Sequence, residues 1–446
     1  MTNQTFNMDS QWLPFTPNRT FKNDPRVFTV ADGMYFTTHD GRQVIDGISS
    51  LWCVGAGHNV KPINEAIKKQ LDTLDYATAF QASNPKAFEA AEMLAEMAPG
   101  DLNKVLFCNS GSEAADTSLK VALAYHRARG EGQRNVFIGR ERGYHGVGFG
   151  GMSVGGIPAN RKVFGTALLP RVDHLRFIHD PVHHAYINGK EPQWQEDILS
   201  ELENRILPLH DPSNIAAVIV EPVAGSAGWY IPPQGYLKRL REICDKHGIL
   251  LIFDEVITGF GRLGTNFASD YYGVVPDMLN FAKAVTNGVI PLGGVICRDH
   301  LYSTIMQAND KAPEHAIEFF HGYTYSGHPV ACAAAIATLT HFKSEDLFAR
   351  AGNMGKVLGD AMHAALTGLP NVIGIRTLGL AGAVELSSIA GLAGKRAYDI
   401  FMTCFHKGVL IRPAGENLVL APPYIVDKAQ IDVMVGVLAD AIRKHA

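Results

Sequence analysis

The sequence predicts an α/β protein: a large domain built on a mostly parallel sheet with helices on both faces, joined to a smaller α+β domain. Three observations carry this. From about residue 103, short apolar runs alternate with amphipathic helical patterns, the layout of a parallel sheet with crossover helices. Those runs are apolar throughout rather than at every second position, which marks strands buried on both faces. Beyond Pro329 the text changes to long helices mixed with short strands. The expected division is an N-terminal segment, 1–70, that packs with the small domain, a large domain over 71–329, and a small domain over 330–446.

In chain order, residues 27–48 alternate apolar and polar around two Asp-Gly pairs, which reads as an antiparallel meander. Helical patterns follow at 61–74 and 85–98. KVLFC (104–108) reads as a strand and is followed by the helical SEAADTSLKVALAYHRA. NVFIG (135–139), IAAVIV (215–220), ILLIF (249–253), MLNFA (278–282) and GGVICR (293–298) supply further strands, with a helix at YLKRLREICDKHG. Helices at 331–342 and 395–408, with short strands VLIR and NLVL, make up the C-terminal part.

Composition excludes several classes. A net charge of −4 gives no electrostatic reason for a nucleic-acid or anionic-membrane partner. The N-terminus has neither the basic start nor the apolar core of a signal peptide. No apolar run approaches the roughly 20 residues of a spanning helix. The six cysteines are scattered with no CxxC, so neither a zinc ribbon nor a disulfide framework is encoded, and a cytoplasmic protein with reduced thiols is expected.

The most informative stretch is ILLIFDEVITGFGRLG (249–264), where a buried strand ends on Asp254 and Glu255. Such a pair could hold magnesium in an ATPase, ligate a metal, or face a buried cation. An ATPase needs G-x-x-x-x-G-K-[ST], yet the Gly-Lys pairs at 189, 355 and 394 are followed by Glu, Val and Arg. The histidines form no H-E-x-x-H. Gly146, Gly148 and Gly151 satisfy G-x-G-x-x-G, but Gly-Tyr-His separates them from the preceding strand. The following MSVGGIP, with two glycines and a proline, cannot be a helix interior.

A counter-charge remains. Lys283 is the single lysine of DMLNFAKAVTNGVIPLGG (277–294), at the end of an apolar run. If it and Asp254 end two parallel strands, both reach the sheet edge where ligands of open α/β sheets bind. A desolvated amine there is nucleophilic and forms Schiff bases; a solvated loop lysine fits the same pattern. VLFCNSGSEAADTSLK (105–120) places Ser110, Gly111 and Ser112 where a strand meets a helix, which suits a phosphate. Ser110 and Glu113 also fit a capping box, and the two readings are compatible. Phosphate cradle, Schiff-base lysine and acid together describe pyridoxal 5′-phosphate (PLP) chemistry.

NSGSEA, EPVAGSAG, FDEVITGFGR, the Lys283 segment and GYTYSGHP resemble, in order, the motifs of class III (ω-) aminotransferases of PLP fold type I. LPFTPNR, LWCVGAGH, GYHGVGFGG and LVLAPPY are most similar to the β-alanine (ω-amino acid):pyruvate branch. The resemblance runs from about Trp12 to the C-terminus. It implies a seven-stranded-type sheet and transamination from an ω-amino acid or primary amine to pyruvate by a ping-pong route. Lys283 would hold PLP as a Schiff base and move the proton, and Asp254 would pair with the pyridine nitrogen. Val256 and Tyr144 would press on the two ring faces, with His145 also at the cofactor and Glu221 supporting it. Ser110, Gly111 and Ser112 would hold the phosphate, joined by Thr324 of a second subunit. The minimum unit would be a homodimer, with a tetramer left open. Arg412 would grip the substrate carboxylate, with Trp52, Phe80 and Tyr144 lining the rest of the pocket. Trp52 and Phe80 as plain core aromatics is the competing view.

Ala224 and Ser226 stand where 2-oxoglutarate-dependent relatives carry a glutamine and, in the ornithine type, a glutamate that gates the arginine. Val147 replaces an arginine of the common F-H-G-R-T form. These departures favour a small acceptor such as pyruvate. A PLP-dependent aminomutase or decarboxylase, or a 2-oxoglutarate-dependent class III enzyme, is the alternative.

Overall fold

A computed structural model of the chain describes residues 6–179 and 195–446. Near the N-terminus, strands β1 (Phe28–Asp32), β2 (Tyr35–Thr38) and β3 (Gln43–Asp46) form the expected antiparallel meander. Its reversals fall at Asp32-Gly33 and Asp40-Gly41, where the glycines take φ of +51° and +86°, a region open to glycine at little cost.

The large sheet contains β4 (Leu102–Cys108), β5 (Val136–Arg140), β6 (Val172–Leu175), β7 (Ile215–Val220), β8 (Leu250–Asp254), β9 (Met278–Phe281) and β10 (Gly293–Arg298). Their order is β4-β10-β9-β8-β7-β5-β6. All pairings are parallel except those of β10, which runs antiparallel to β4 and β9. Every residue of β7 and β8 is buried, because both faces are covered. On one face Val218, Val220, Leu251 and Phe253 pack with Leu237, Leu240 and Ile243 of helix Tyr236–His247. On the other, Ala217, Ile219, Leu250 and Ile252 pack with Leu119, Val121 and Ala122 of helix Gly111–Ala128. This strict alternation is the period-two geometry of a strand, and each large buried side chain contributes about 2 kcal/mol.

The remaining strands are β11 (Val372–Thr377), β12 (Gly382–Leu386), β13 (Val409–Leu410), β14 (Arg412–Ala414) and β15 (Asn417–Leu420). Four of them form an antiparallel sheet in the order β11-β12-β15-β14. The fifth, β13, pairs in parallel with β3, so N- and C-terminal segments share one sheet. Helix Pro85–Met97 starts on Asn84, whose side chain accepts from the Ala87 amide, and on a proline at its first position, a favoured start. Among the described residues no helix is long and apolar enough to cross a membrane.

Two local expectations are corrected. A helix, Phe149–Val154, does begin within the G-x-G-x-x-G match and takes in Met152 to Val154 of the following segment, ending before Gly155. Its poor intrinsic propensity is offset by close packing. The Gly151 amide donates to Asp116 Oδ1 at 2.7 Å, and a side chain at Gly139 of β5 would collide with the Val154 carbonyl. In addition β6, a polar edge strand of VDHL, carries no apolar run and was not anticipated.

Candidate active site

The pairing of β8 with β9 sets Asp254 opposite Asn280 in parallel register. Both chains therefore leave the sheet at the same edge. Three residues past Asn280, Lys283 opens a 3-10 turn with φ of +54°. A left-handed lysine costs on the order of 1 kcal/mol, and such strain concentrates at functional sites. Its amine has no hydrogen bond or ion pair to any described residue. Burial lowers its pKa, opposed by the nearby Cys53, Asp254 and Glu221 and reinforced by Arg412.

The two acids that end β8 separate. Asp254 Oδ2 accepts from His145 Nδ1 at 2.8 Å, and Oδ1 accepts from the Val256 amide at 3.2 Å. His145 is buried, and its Nε2 has no partner among the described residues. Glu255 turns away to accept from the Ala268 and Ser269 amides and the Ser269 and Thr258 hydroxyls. Burial pushes its carboxyl pKa up to about 7.

β4 ends at Cys108, and helix Gly111–Ala128 begins two residues later. Ser110 Oγ accepts from the Glu113 amide at 3.2 Å. The return arm of the cap reaches one residue too far for a capping box: Glu113 Oε2 accepts from the Asn109 amide and side chain at 2.7 and 2.9 Å. Helix geometry leaves the Gly111 and Ser112 amides without intrahelical acceptors, so they are free to bind an anion. The glycine lets the helix start pack tightly here, because a Cβ at Gly111 would lie 3.0 Å from both methyls of Val256.

Tyr144 is held by its backbone, whose amide donates to Glu221 Oε1 at 2.9 Å; Glu221 Oε2 accepts from Gly225 at 3.2 Å. Burial raises the pKa of the Glu221 carboxyl and of the Tyr144 phenol. A cavity of about 340 Å³ is lined by Ser110, Gly111, Ser112 and Val256 together with Tyr144, His145, Glu221, Asp254 and Lys283. Arg412, at the start of β14, lines a second cavity of about 720 Å³ that also reaches Tyr144 and Lys283. Its guanidinium has no carboxylate partner among the described residues, and burial lowers its pKa.

Three expected residues lie elsewhere in this chain. Trp52 lines neither cavity; it is buried, with its ring stacked on Trp229 at 5.1 Å and 20°. The backbone explains this, since Ser49, Ser50 and Trp52 all take positive φ. That kink sends Leu51 toward the outer cavity and Cys53 toward the inner one. Phe80 is 57% exposed and packs near Gly322 in a surface hollow. Thr324 is exposed in the same neighbourhood, where Tyr76 Oη donates to its carbonyl at 3.0 Å. Cys53 is a lining residue that sequence reasoning missed; its one signal was a place inside LWCVGAGH.

The residues fit PLP. Free helix amides suit its phosphate, an amine stands ready for its aldehyde, and a buried carboxylate without a Lys or Arg partner suits its ring nitrogen. Fold and site thus define a PLP-dependent enzyme of fold type I. The chain belongs to the class III aminotransferases: the family described as "Aminotransferase class-III" matches residues 18–442. It is 52% identical over 428 residues to an omega-aminotransferase of Caulobacter vibrioides, covering 96% of each chain. It is 46% identical over 436 residues to a beta-alanine–pyruvate aminotransferase of Pseudomonas aeruginosa, covering 98% of this chain and 96% of that one. Among solved structures, an amine transaminase of an uncultivated Pseudomonas species, in its PLP-bound internal aldimine form, superposes with a TM-score of 0.90 at 35% identity and full coverage of both chains. An (S)-enantioselective omega-transaminase of Thermomicrobium roseum gives 0.89 at 31% identity, covering 97% and 96%. The protein is a PLP-dependent aminotransferase.

Proposed function

We propose that the protein transfers the amino group of an ω-amino acid of the β-alanine type, or of a primary amine, to pyruvate in two successive half-reactions. One observation carries the reading: Lys283 and Asp254 end neighbouring parallel strands at one cavity, continuous with a second that holds an unpaired arginine. PLP, when bound, supplies an electron sink for the carbon that loses its proton.

The residues divide the remaining work. Lys283 Nζ would hold the cofactor by its aldehyde and, as a free amine, would take the proton from the amine-bearing carbon of the donor; a lowered pKa suits both tasks. Asp254, oriented by His145, holds a proton on the ring nitrogen. Gly111 and Ser112 amides, with the Ser110 and Ser112 hydroxyls, receive the phosphate. Val256 and Tyr144 bound the two ring faces, and Glu221 fixes the Tyr144 backbone. Arg412 grips the carboxylate of β-alanine or pyruvate bidentately. Ser226 lines the cavity with Arg412, and no acidic residue does, which supports an ungated arginine and a small acceptor. The names of the relatives from Caulobacter and Pseudomonas agree with this donor and acceptor.

The working unit is a homodimer in a cytoplasmic setting. Thr324 and Phe80 line neither active-site cavity of their own chain, and they lie on an exposed surface with Tyr76 and Tyr325, which supports their delivery to the site of a second subunit. Free thiols at all six cysteines suit a reducing compartment.

Arg412→Ala tests the substrate reading. It should lower kcat/KM for β-alanine with pyruvate about 100-fold, the loss of two charge-assisted hydrogen bonds at roughly 1.5 kcal/mol each. With the donor varied at saturating pyruvate, 1-phenylethylamine should lose far less. Equal losses for the two donors would remove Arg412 from carboxylate binding.

A further inference from the structure

The outer cavity is larger than β-alanine requires, and its far wall has a charge of its own. That wall comes from the N-terminal segment, Pro14 to Phe21, and from Arg26. The segment is pre-built: Asn18 Nδ2 donates to the Leu13 and Thr16 carbonyls at 3.0 and 2.8 Å, and Asn18 Oδ1 accepts from the Leu13 amide at 3.0 Å.

Arg26 is half-buried, with its guanidinium 4.9 Å from the Phe21 ring centre and 5.6 Å from that of Phe401. Such flanking holds a cation in place and leaves its N–H edges for other partners. Among the described residues only Nη1 is used, toward the Asp24 carbonyl at 3.1 Å and the Met402 sulfur at 3.4 Å. No carboxylate among the described residues pairs with it. Tyr398, whose ring centre lies 6.0 Å from that of Phe401, lines the same cavity, and its hydroxyl oxygen is buried with no hydrogen-bond partner among the described residues. A buried hydroxyl left unpaired costs free energy that an arriving ligand recovers. Among the described residues the lining contains Arg26, Arg412 and Lys283 and no acid, so the outer cavity favours carboxylates.

We propose that Arg26 and Tyr398 form a second carboxylate station at the outer end of the substrate cavity, which takes the distal carboxylate of ω-amino acids too long to end at Arg412. The inference rests on the proposed function and refines its substrate class. Short donors end at Arg412. A donor such as 5-aminopentanoate, two methylenes longer than β-alanine, spans to Arg26. Its amino group passes to pyruvate, leaving 5-oxopentanoate and alanine, so the exchange balances without a further reactant.

The test compares 5-aminopentanoate with pentylamine, which has the same chain and no carboxylate, on the PLP-loaded enzyme with saturating pyruvate. Arg26→Gln should raise KM for 5-aminopentanoate about tenfold more than for pentylamine, with the loss in KM rather than kcat. Arg26→Lys should recover part of it. Tyr398→Phe, which removes one oxygen from the packed ring, should move KM the same way by about threefold and serves alone if the arginine variants do not fold. Equal losses for the two donors, or a loss confined to kcat, would overturn the station. If the wild type turns over neither β-alanine nor 5-aminopentanoate, the functional reading fails instead. Calorimetric binding of pentanoate then decides the station: weaker binding to Arg26→Gln sustains it, and equal binding overturns it.

Discussion

Asp254 and Glu255 are neighbours in sequence, and the alternation of an extended chain sends them to opposite environments. Asp254 faces the cavity and His145. Replacing it with Asn preserves shape and removes the charge, so kcat should fall about 10²–10³-fold, the usual scale for a lost preorganised electrostatic contact. A kcat within a few-fold of wild type would contradict its role. Glu255 makes a separate prediction. Its folded pKa of about 7 lies above the unfolded value of 4.5, so the folded chain keeps a proton that the unfolded chain releases. Stability from this group is fully present below pH 4.5 and is lost as pH rises toward 7, by about 3 kcal/mol. Urea melts across that window should show Glu255→Gln lacking this share of the wild-type slope; parallel slopes would refute it. The acid, the lysine and the phosphate serines were legible because each interrupts an apolar run at a strand end. Trp52 was not. Three left-handed residues at 49, 50 and 52 decide where its ring goes, and nothing in the periodicity of LWCVGAGH encodes them.

Elements that are buried on both faces read cleanly. IAAVIV, ILLIF and MLNFA became β7, β8 and β9 because a strand covered on two sides carries apolar residues on both faces. Direction was less visible: GGVICR is as apolar as the others yet runs antiparallel, since composition does not record which way a strand points. The loop from β5 to helix Phe149–Val154 was hardest to read, because its fold depends on close backbone approach. Gly146, with φ of +88°, packs so tightly that an added Cβ would sit 2.3 Å from Ser112 Oγ. Gly146→Ala should therefore push back the helix start that receives the phosphate. The PLP dissociation constant, measured by equilibrium dialysis, should rise about tenfold or more, equivalent to roughly 1.4 kcal/mol. Unchanged affinity would show that the helix start is not the phosphate site.

At the scale of the whole molecule, distant segments converge on one place. β3 and β13 join the two ends of the chain in one sheet. Arg412, just beyond β13, and the N-terminal wall thereby meet the lysine supplied by the large sheet. The sequence showed the parts, each at its own strand end, but not the tertiary path that links the two cavities. Nor did it show that Phe80 stands on the outside of its own chain. Transamination here requires Lys283 and Asp254 to serve one cofactor, and its two half-reactions distinguish it from aminomutase or decarboxylase chemistry. The decisive measurement is the absorbance of the PLP-loaded protein during sequential additions. The long-wavelength band of lysine-bound cofactor should bleach once with β-alanine alone, return with pyruvate, and be absent from Lys283→Ala. Continued turnover of β-alanine without a keto acid, or a band that survives Lys283→Ala, would contradict it.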